Sequence, residues 1–269
     1  FTVGKILLIA AFIVSGFLMT NPQDITLAPS GRNVGSVFSP AFAISLVYVF
    51  YAYSGWNSAS YVAGEILRPE KNLPIALFWG AAFVALCYCL INYVFLYTVP
   101  MSELAGQIDV GYLSAKSIFG RRGAAIMTVL ICVALISSLS SLIMVGPRVT
   151  QAMSEDLKRL RFLSTRNKSG APVYAIILQA GVAIFLTLTA TFNAVLTYVG
   201  FTLALFASLT VLGVFVLRRR HPNLNRPFKT WGYPVTPAIF LLLYGWMICY
   251  LIIERPLPSV CGLLTVASG

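Results

Sequence analysis

Long apolar segments recur along the whole chain and constrain its fold more than any other feature of the sequence. A helix needs about 20 mostly apolar residues to cross the hydrocarbon core of a bilayer. Seven segments come near that length or exceed it, and an eighth is about eight residues short of it. The segments run over residues 4–20, 39–64, 73–99, 123–145, 172–190, 194–217, 234–253 and 257–268, and we expect the last to be truncated.

Charge is scarce between these segments as well as inside them. Charged residues make up 10% of the 269-residue chain, whereas soluble domains carry about 25%. A soluble core of this size cannot hide so much apolar surface from water. The sequence therefore predicts one all-α transmembrane domain over residues 1–269, and it excludes an ordinary soluble enzyme or a disordered chain.

The placement of the basic residues predicts the orientation in the membrane. The chain has 19 Lys and Arg against 8 Asp and Glu, a net charge of +11. With alternating spans, the loops on one side hold 13 basic residues and those on the other hold five. The positive-inside rule then places loops 65–72, 148–170 and 218–229 in the cytoplasm. These loops lack the interleaved aromatics of a nucleic-acid-binding face, so we expect a lipid bilayer and no nucleic acid as partner.

The sequence shows no constellation of residues typical of catalysis. Its one histidine, His221, follows three arginines in a basic loop, and we interpret it as a solvated side chain. There is no Gly-Lys-Ser/Thr phosphate-binding loop, and the five cysteines have neither zinc-site spacing nor that of a disulfide framework. We therefore predict a protein that is not an enzyme and that has no metal site and no cofactor.

The second apolar segment, 39–64, is too long for one span and contains Ser54-Gly55 near its middle, which predicts a break in the helix. An interrupted helix at membrane depth is tolerated where it lines a cavity. The break frees backbone groups and helix ends, which bind the charged groups of a small zwitterion. A glycine-containing packing face explains the same residues, so a binding site and a helix contact remain alternatives at this point.

Two further features allow two interpretations each. Lys5, near the start of the first segment, either extends to the membrane interface or places a buried ammonium inside the bundle, where it replaces a cation or carries a proton. Ser137, Ser138 and Ser141 are three or four residues apart and share one helix face. They either solvate a cation or a lysine, or they let two helices pack closely.

Two stretches of the sequence resemble a known family. Residues 50–57 (Phe-Tyr-Ala-Tyr-Ser-Gly-Trp-Asn) and 64–77 (Gly-Glu-Ile-Leu-Arg-Pro-Glu-Lys-Asn-Leu-Pro-Ile-Ala-Leu) resemble the sixth helix and following loop of amino-acid permeases. Residues 217–237 are similar to that family's loop between helices ten and eleven. These permeases belong to the amino acid–polyamine–organocation superfamily, and the resemblance is closest to its L-type and bacterial exchanger branch.

The resemblance implies a LeuT-like fold of two inverted five-helix repeats followed by two more helices. The chain corresponds to the fifth helix through the start of the twelfth. We therefore expect a complete second repeat and only the last helix of the first repeat. The family's broken first helix, whose Gly-rich motif holds the substrate carboxylate, has no counterpart in this sequence.

The resemblance also assigns roles to residues of the candidate break. Tyr51 matches an aromatic gate beside the substrate, and the backbone carbonyls of Ala52 and Ser54 would face the substrate ammonium. Gly55 would give room for the break, and Asn57 would hold the unwound segment or a bridging water.

Lys5 matches the lysine that occupies the sodium position in sodium-independent members of the family. The resemblance makes Ser137, Ser138 and Ser141 candidate partners of this ion-coupling lysine. It thus implies secondary transport of amino acids across the plasma membrane by alternating access, coupled either to exchange or to protons. A polyamine or organic-cation carrier and a non-transporting membrane sensor or assembly subunit remain the alternatives. No motif identifies an accessory subunit.

Overall fold

The computed structural model of the chain describes residues 2–20, 23, 35–61, 63, 66–156, 158–167, 170–224, 226 and 228–268. Within these residues the chain is helical and contains no strand, which confirms the all-α class. Short 3₁₀ helices lie at Gly35–Phe38 and Lys158–Ser164. The α-helices are α1 (Thr2–Met19), α2 (Pro40–Ala52), α3 (Ser58–Tyr61), α4 (Pro69–Thr98), α5 (Met101–Leu104), α6 (Val110–Asp156), α7 (Val173–Thr189), α8 (Phe192–Arg220), α9 (Val235–Glu254) and α10 (Pro256–Ser268).

Five of the described helices, namely α1, α4, α6, α8 and α9, are long and apolar enough to cross a membrane. Helices α2, α7 and α10 are shorter but also apolar. Large apolar side chains lie open on their surfaces, for example Leu18, which is 79% exposed, and Leu188, which is 80% exposed. Lipid is the solvent that accommodates such a surface, because water penalises exposed apolar area.

Helix boundaries follow local capping signals. Ser39 precedes α2 and its hydroxyl accepts a hydrogen bond from the backbone N–H of Phe42, while Pro40 occupies the first turn. Thr191 begins α8 in the same way, with its hydroxyl accepting from the N–H of Ala194. The far end of α8 carries three consecutive arginines, a favourable placement beside the negative end of the helix dipole.

Helix α6 is longer than the apolar segment 123–145 that predicts it. Gly120, at φ 70° and ψ −178°, interrupts α6, so a shorter helical part over residues 110–119 precedes a long one over residues 121–156. Arginine is a good helix former, so Arg148 ends the apolar stretch without ending the helix, which runs on to Asp156. The helix therefore continues from the apolar region into the basic segment that follows it.

The chain divides into two compact units. The first unit comprises residues 1–28 and 78–177. Its core joins α1, α4 and α6 through Phe12, Val94 and a set of residues from α6. Gly16 of α1 lies so close to α4 that a Cβ there would be 2.4 Å from Cγ1 of Val94. The α6 residues of this core are Ala115, Ile118, Ala124 and Met127.

The second unit comprises residues 29–77 and 178–269. Its core consists of Val47 from α2, Phe201 from α8, and Met247 and Leu251 from α9. Helix α10 joins this unit through Ser259, whose buried hydroxyl donates to the carbonyl of Leu251 at 3.0 Å. The core thus fixes the end of α2, next to which the predicted helix break begins.

We expect Gly200→Leu to destabilise the second unit, because a Cβ at Gly200 would lie 2.6 Å from Cγ1 of Val47 on α2. Overpacking of this kind costs about 1–3 kcal/mol. Gly213→Leu is the matched control, since Gly213 lies on the same helix and a Cβ there meets nothing within 4 Å. Thermal unfolding of the detergent-solubilised protein should show a lower midpoint for Gly200→Leu alone. Equal midpoints for the two variants would contradict the close approach of α2 and α8.

Candidate functional site

The helix break predicted at Ser54-Gly55 is present in the second unit. Helix α2 ends at Ala52, residues 53–57 form turns, and α3 begins at Ser58. Gly55 has φ +99°, a conformation that L side chains rarely adopt. The break therefore depends on a glycine at this position, and the chain leaves helical geometry in the middle of the predicted second span.

Hydrogen bonds within the break hold it in a defined shape. The carbonyl of Tyr51 accepts from the backbone N–H of Ser54 at 3.0 Å and from its hydroxyl at 2.6 Å. After Gly55, the backbone N–H of Ser58 donates to the carbonyl of Gly55 at 3.0 Å. The backbone N–H of Ala59 donates to the carbonyl of Trp56 at 3.3 Å. The Ser54 hydroxyl thus satisfies a carbonyl that the interrupted helix leaves without its usual donor.

Aromatic packing anchors the break on one side and leaves its other side open. Phe50, one residue before Tyr51, packs edge-on against Tyr244 of α9, with ring centroids 4.8 Å apart. Tyr244 in turn stacks on Phe240 at 3.9 Å. Tyr51 is 40% exposed and Trp56 is 53% exposed. The segment therefore presents exposed aromatic side chains next to a part of α2 that packs against α9.

The structure places the other predicted residues of the break as follows. Ala52 and Gly55 are exposed, whereas Ser54 and Asn57 are partly buried. All four lie within the turn or at its border with α2. The anchoring pair on α9 carried no sequence signal, because an i, i+4 pair of aromatics in an apolar helix looks like any other helix-packing face.

Lys5 and the predicted serines lie in the first unit. The ammonium of Lys5 donates a hydrogen bond to the hydroxyl of Ser138 at 2.8 Å, which joins α1 to α6. The Ser138 hydroxyl donates onward to the carbonyl of Ala134 at 3.3 Å. Lys5 is partly buried, and its ammonium bonds to a polar side chain of the neighbouring helix.

The three serines occupy different environments. Ser137 and Lys5 both line an open cavity of about 500 Å³ between α1 and α6, whose other lining residues are apolar. Ser141 lies one turn further along α6 and donates to the carbonyl of Ser137 at 3.3 Å. The structure therefore brings Lys5 together with Ser138 and with the cavity at Ser137, while the hydroxyl of Ser141 bonds within its own helix.

Metal-binding side chains do not converge in the described part of the chain, where no group of three His, Cys, Asp or Glu residues lies close enough to hold an ion. The polar groups in the two regions include hydroxyls, backbone carbonyls, the side-chain amide of Asn57 and the ammonium of Lys5. Such groups bind small polar or charged molecules by hydrogen bonds and by charge, and they provide no nucleophile paired with a base.

Comparison with known proteins gives a consistent result. The chain is 28% identical over 269 residues to the b(0,+)-type amino acid transporter 1 of Homo sapiens, covering 95% of this chain and 52% of that protein. It is 24% identical over 281 residues to the Asc-type amino acid transporter 1 of Mus musculus, covering 100% of this chain and 51% of that protein. It is 25% identical over 278 residues to the large neutral amino acids transporter small subunit 2 of Mus musculus, covering 100% of this chain and 51% of that protein.

The chain thus spans about half the length of the curated relatives it matches. A family model described as amino acid permease matches residues 1–265, which is almost the whole chain. The apolar helices fit the multi-pass membrane topology that transporters require. On this evidence the chain belongs to the amino acid permease family, whose members are membrane transporters and not enzymes.

Proposed function

We propose that the protein carries amino acids across the plasma membrane by alternating access, in a sodium-independent way that is coupled to exchange or to protons. The relatives named above are amino acid transporters. The observation that carries the proposal is the glycine-dependent helix break at residues 53–57, which coincides with the motif of the family's sixth helix. Interrupted helices are the usual substrate sites of secondary transporters.

In this proposal the turn at residues 53–57 and its border with α2 form part of the substrate site. The aromatic ring of Tyr51 gates the substrate, and the Ala52 and Ser54 carbonyls face the substrate ammonium. Gly55 permits the break and Asn57 holds it. The exposure of Tyr51 supports this assignment, because a gate must be free to contact a ligand, and the bond between Ser54 and Tyr51 keeps the turn preorganised.

Lys5 takes the place of a coupling cation in the proposal. Its ammonium is positioned by Ser138 and lies at a cavity that is otherwise apolar except at Ser137. A positive charge at that place supplies what sodium supplies in ion-coupled transporters, with the hydroxyl of Ser138 as its hydrogen-bond partner. Ser141, one turn away, supports the Ser137 backbone rather than the ammonium.

The membrane arrangement completes the proposal. The chain forms one transmembrane domain over residues 1–269 with the LeuT-like order of helices, of which it contains the complete second repeat. Loops 65–72, 148–170 and 218–229 face the cytoplasm, since they carry 13 of the 19 basic residues. This orientation puts the basic end of α6 at the cytoplasmic interface.

The test is counter-flow into liposomes that contain the protein expressed from its complete coding sequence. Liposomes are loaded with one unlabelled amino acid, and uptake of labelled small neutral, large neutral and cationic amino acids is measured without sodium at two pH values. We expect at least one class to accumulate several-fold above protein-free liposomes. Dependence on the internal amino acid indicates exchange, and dependence on an imposed pH gradient indicates proton coupling.

Labelled putrescine serves as the probe for the alternative carrier class in the same liposomes. Uptake of putrescine without uptake of any amino acid would overturn the proposed substrate class. Uptake of neither compound by protein that is monodisperse and thermally stable would overturn the transport proposal and favour a sensor or assembly subunit.

A further inference from the structure

A groove in the first unit, separate from Lys5 and from the helix break, combines an apolar wall with two arginines. Its volume is about 570 Å³. One wall is the last part of α6, from Ile143 to Glu155, and the other is formed by Arg166, the residues 170–172 and the start of α7. The size lies within the range of small-molecule sites, which is about 300–1,000 Å³.

The lining of the groove changes from apolar to charged along α6. At one end Ile143 is 44% exposed and Met144 is 61% exposed, so apolar side chains line an open surface. Within one further turn of the helix comes Arg148, the first charged residue after the apolar segment 123–145. The groove therefore runs across the level at which the helix passes from an apolar to a polar environment.

The charges at the polar end favour an anion. Arg148 and Arg166 both line the groove and are exposed, and among the described residues neither guanidinium has a hydrogen-bond or ion-pair partner. The one carboxylate in the lining, Glu155, accepts a hydrogen bond from the buried side-chain amide of Gln151 at 3.0 Å. Segment 148–170 as a whole has six basic and two acidic residues.

Asn167, the residue after Arg166, is hydrogen-bonded to Ala171 in the wall of the groove. The side-chain oxygen of Asn167 accepts from the N–H of Ala171 at 2.9 Å, and the backbone N–H of Asn167 donates to the Ala171 carbonyl at 2.9 Å. Phe162 packs edge-on against Tyr174 at 6.3 Å, which ties the preceding 3₁₀ segment to the start of α7. Arg166 thus precedes a residue that is bonded to the groove wall at Ala171.

We propose that this groove binds the headgroup of an anionic phospholipid, with its phosphate between Arg148 and Arg166 and its upper acyl chain along Ile143 and Met144. A soluble anion would use the arginines but not the exposed apolar wall. A neutral lipid would use the wall but leave two guanidiniums without a counter-charge. An anionic phospholipid matches both halves, and basic recesses beside membrane helices are typical sites for such headgroups.

The test measures binding of phosphatidylglycerol labelled in its acyl chain to the complete protein in neutral detergent, with acyl-labelled phosphatidylcholine as the neutral probe. We expect the protein to prefer phosphatidylglycerol, and we expect Arg148→Gln/Arg166→Gln to lower its affinity about 30-fold, because each basic residue near the headgroup contributes roughly five- to sixfold. The preference should also weaken at high salt.

The matched control is Arg219→Gln/Arg220→Gln, which removes two exposed arginines of another basic segment and lies outside the groove. It should keep the preference for phosphatidylglycerol. If both double variants lost the preference for phosphatidylglycerol equally, the preference would come from overall charge, and the proposed site would be wrong. Retention of the preference in Arg148→Gln/Arg166→Gln would overturn it as well.

Two further measurements keep the proposal testable if the arginine variant does not fold. Ala152→Trp leaves every charge in place but fills the groove, since Ala152 is one of its lining residues, and it should weaken binding of phosphatidylglycerol. Unchanged binding in this variant would exclude the groove. Inorganic phosphate should not displace the labelled lipid, and full displacement would show a site for free anions instead of a lipid.

Discussion

The amino-acid uptake proposed for the complete protein is expected to fall about 10- to 100-fold when Lys5 is replaced by alanine. The hydrogen bond from the Lys5 ammonium to Ser138 is charge-assisted, and such a bond contributes about 1.5–3 kcal/mol. The variant removes both this bond and the positive charge at the cavity between α1 and α6. The measurement is the initial rate of counter-flow, normalised to the amount of protein reconstituted.

Lys116→Ala is the matched control for this prediction, because Lys116 is an exposed lysine of α6 outside the cavity. Its uptake should stay within a factor of two of the unaltered protein. Ser138→Ala should show an intermediate loss, and the combined variant should be no worse than Lys5→Ala if the two side chains act through one bond. Unchanged uptake in Lys5→Ala would remove Lys5 from the coupling site.

The second large effect is expected at the helix break, where Gly55→Leu should abolish uptake. Gly55 has φ +99°, and a Cβ there would meet nothing within 4 Å, so the penalty comes from the backbone and not from a collision. A residue held in a sparsely populated backbone region costs about 1–3 kcal/mol. The turn then relaxes towards helix or another conformation, and the proposed substrate carbonyls lose their alignment.

Gly106→Leu separates this effect from general backbone strain. Gly106 also has a positive φ, +76°, and a Cβ there also meets nothing within 4 Å, but it lies in the loop after α5. Both variants should lose thermal stability to a similar extent, while only Gly55→Leu should lose uptake per folded molecule. If Gly106→Leu lost uptake equally, the specific importance of the break would be refuted.

The features that follow from local chemistry could be predicted from the sequence. The apolar segments gave the all-α class, and Ser54-Gly55 gave the break, because a glycine beside a serine weakens a helix wherever it occurs. The bond between the Ser54 hydroxyl and the Tyr51 carbonyl is also local, since three residues separate the partners. The part of α6 after Gly120 is longer than its apolar segment because Arg148 ends the apolar stretch but is compatible with a helix.

The features that depend on tertiary packing could not be predicted in the same way. Ser137, Ser138 and Ser141 share a helix face, but only the rotation of α6 against α1 selects Ser138 as the partner of Lys5. The groove beside Arg148 had no sequence signal either, because its basic residues were interpreted through membrane orientation alone. Its shape depends on the Asn167–Ala171 turn, which brings Arg166 to the same groove.

The bond between Lys5 and Ser138 also has a consequence for biosynthesis. The two residues are 133 positions apart in the chain. At about 5–20 residues per second, the ribosome needs roughly 7–27 s after Lys5 before it adds Ser138. During this interval α6 is not yet available to Lys5, and the long lysine stem lets the charge reach the headgroup region. We therefore expect the bond between Lys5 and Ser138 to form only after α6 has been synthesised.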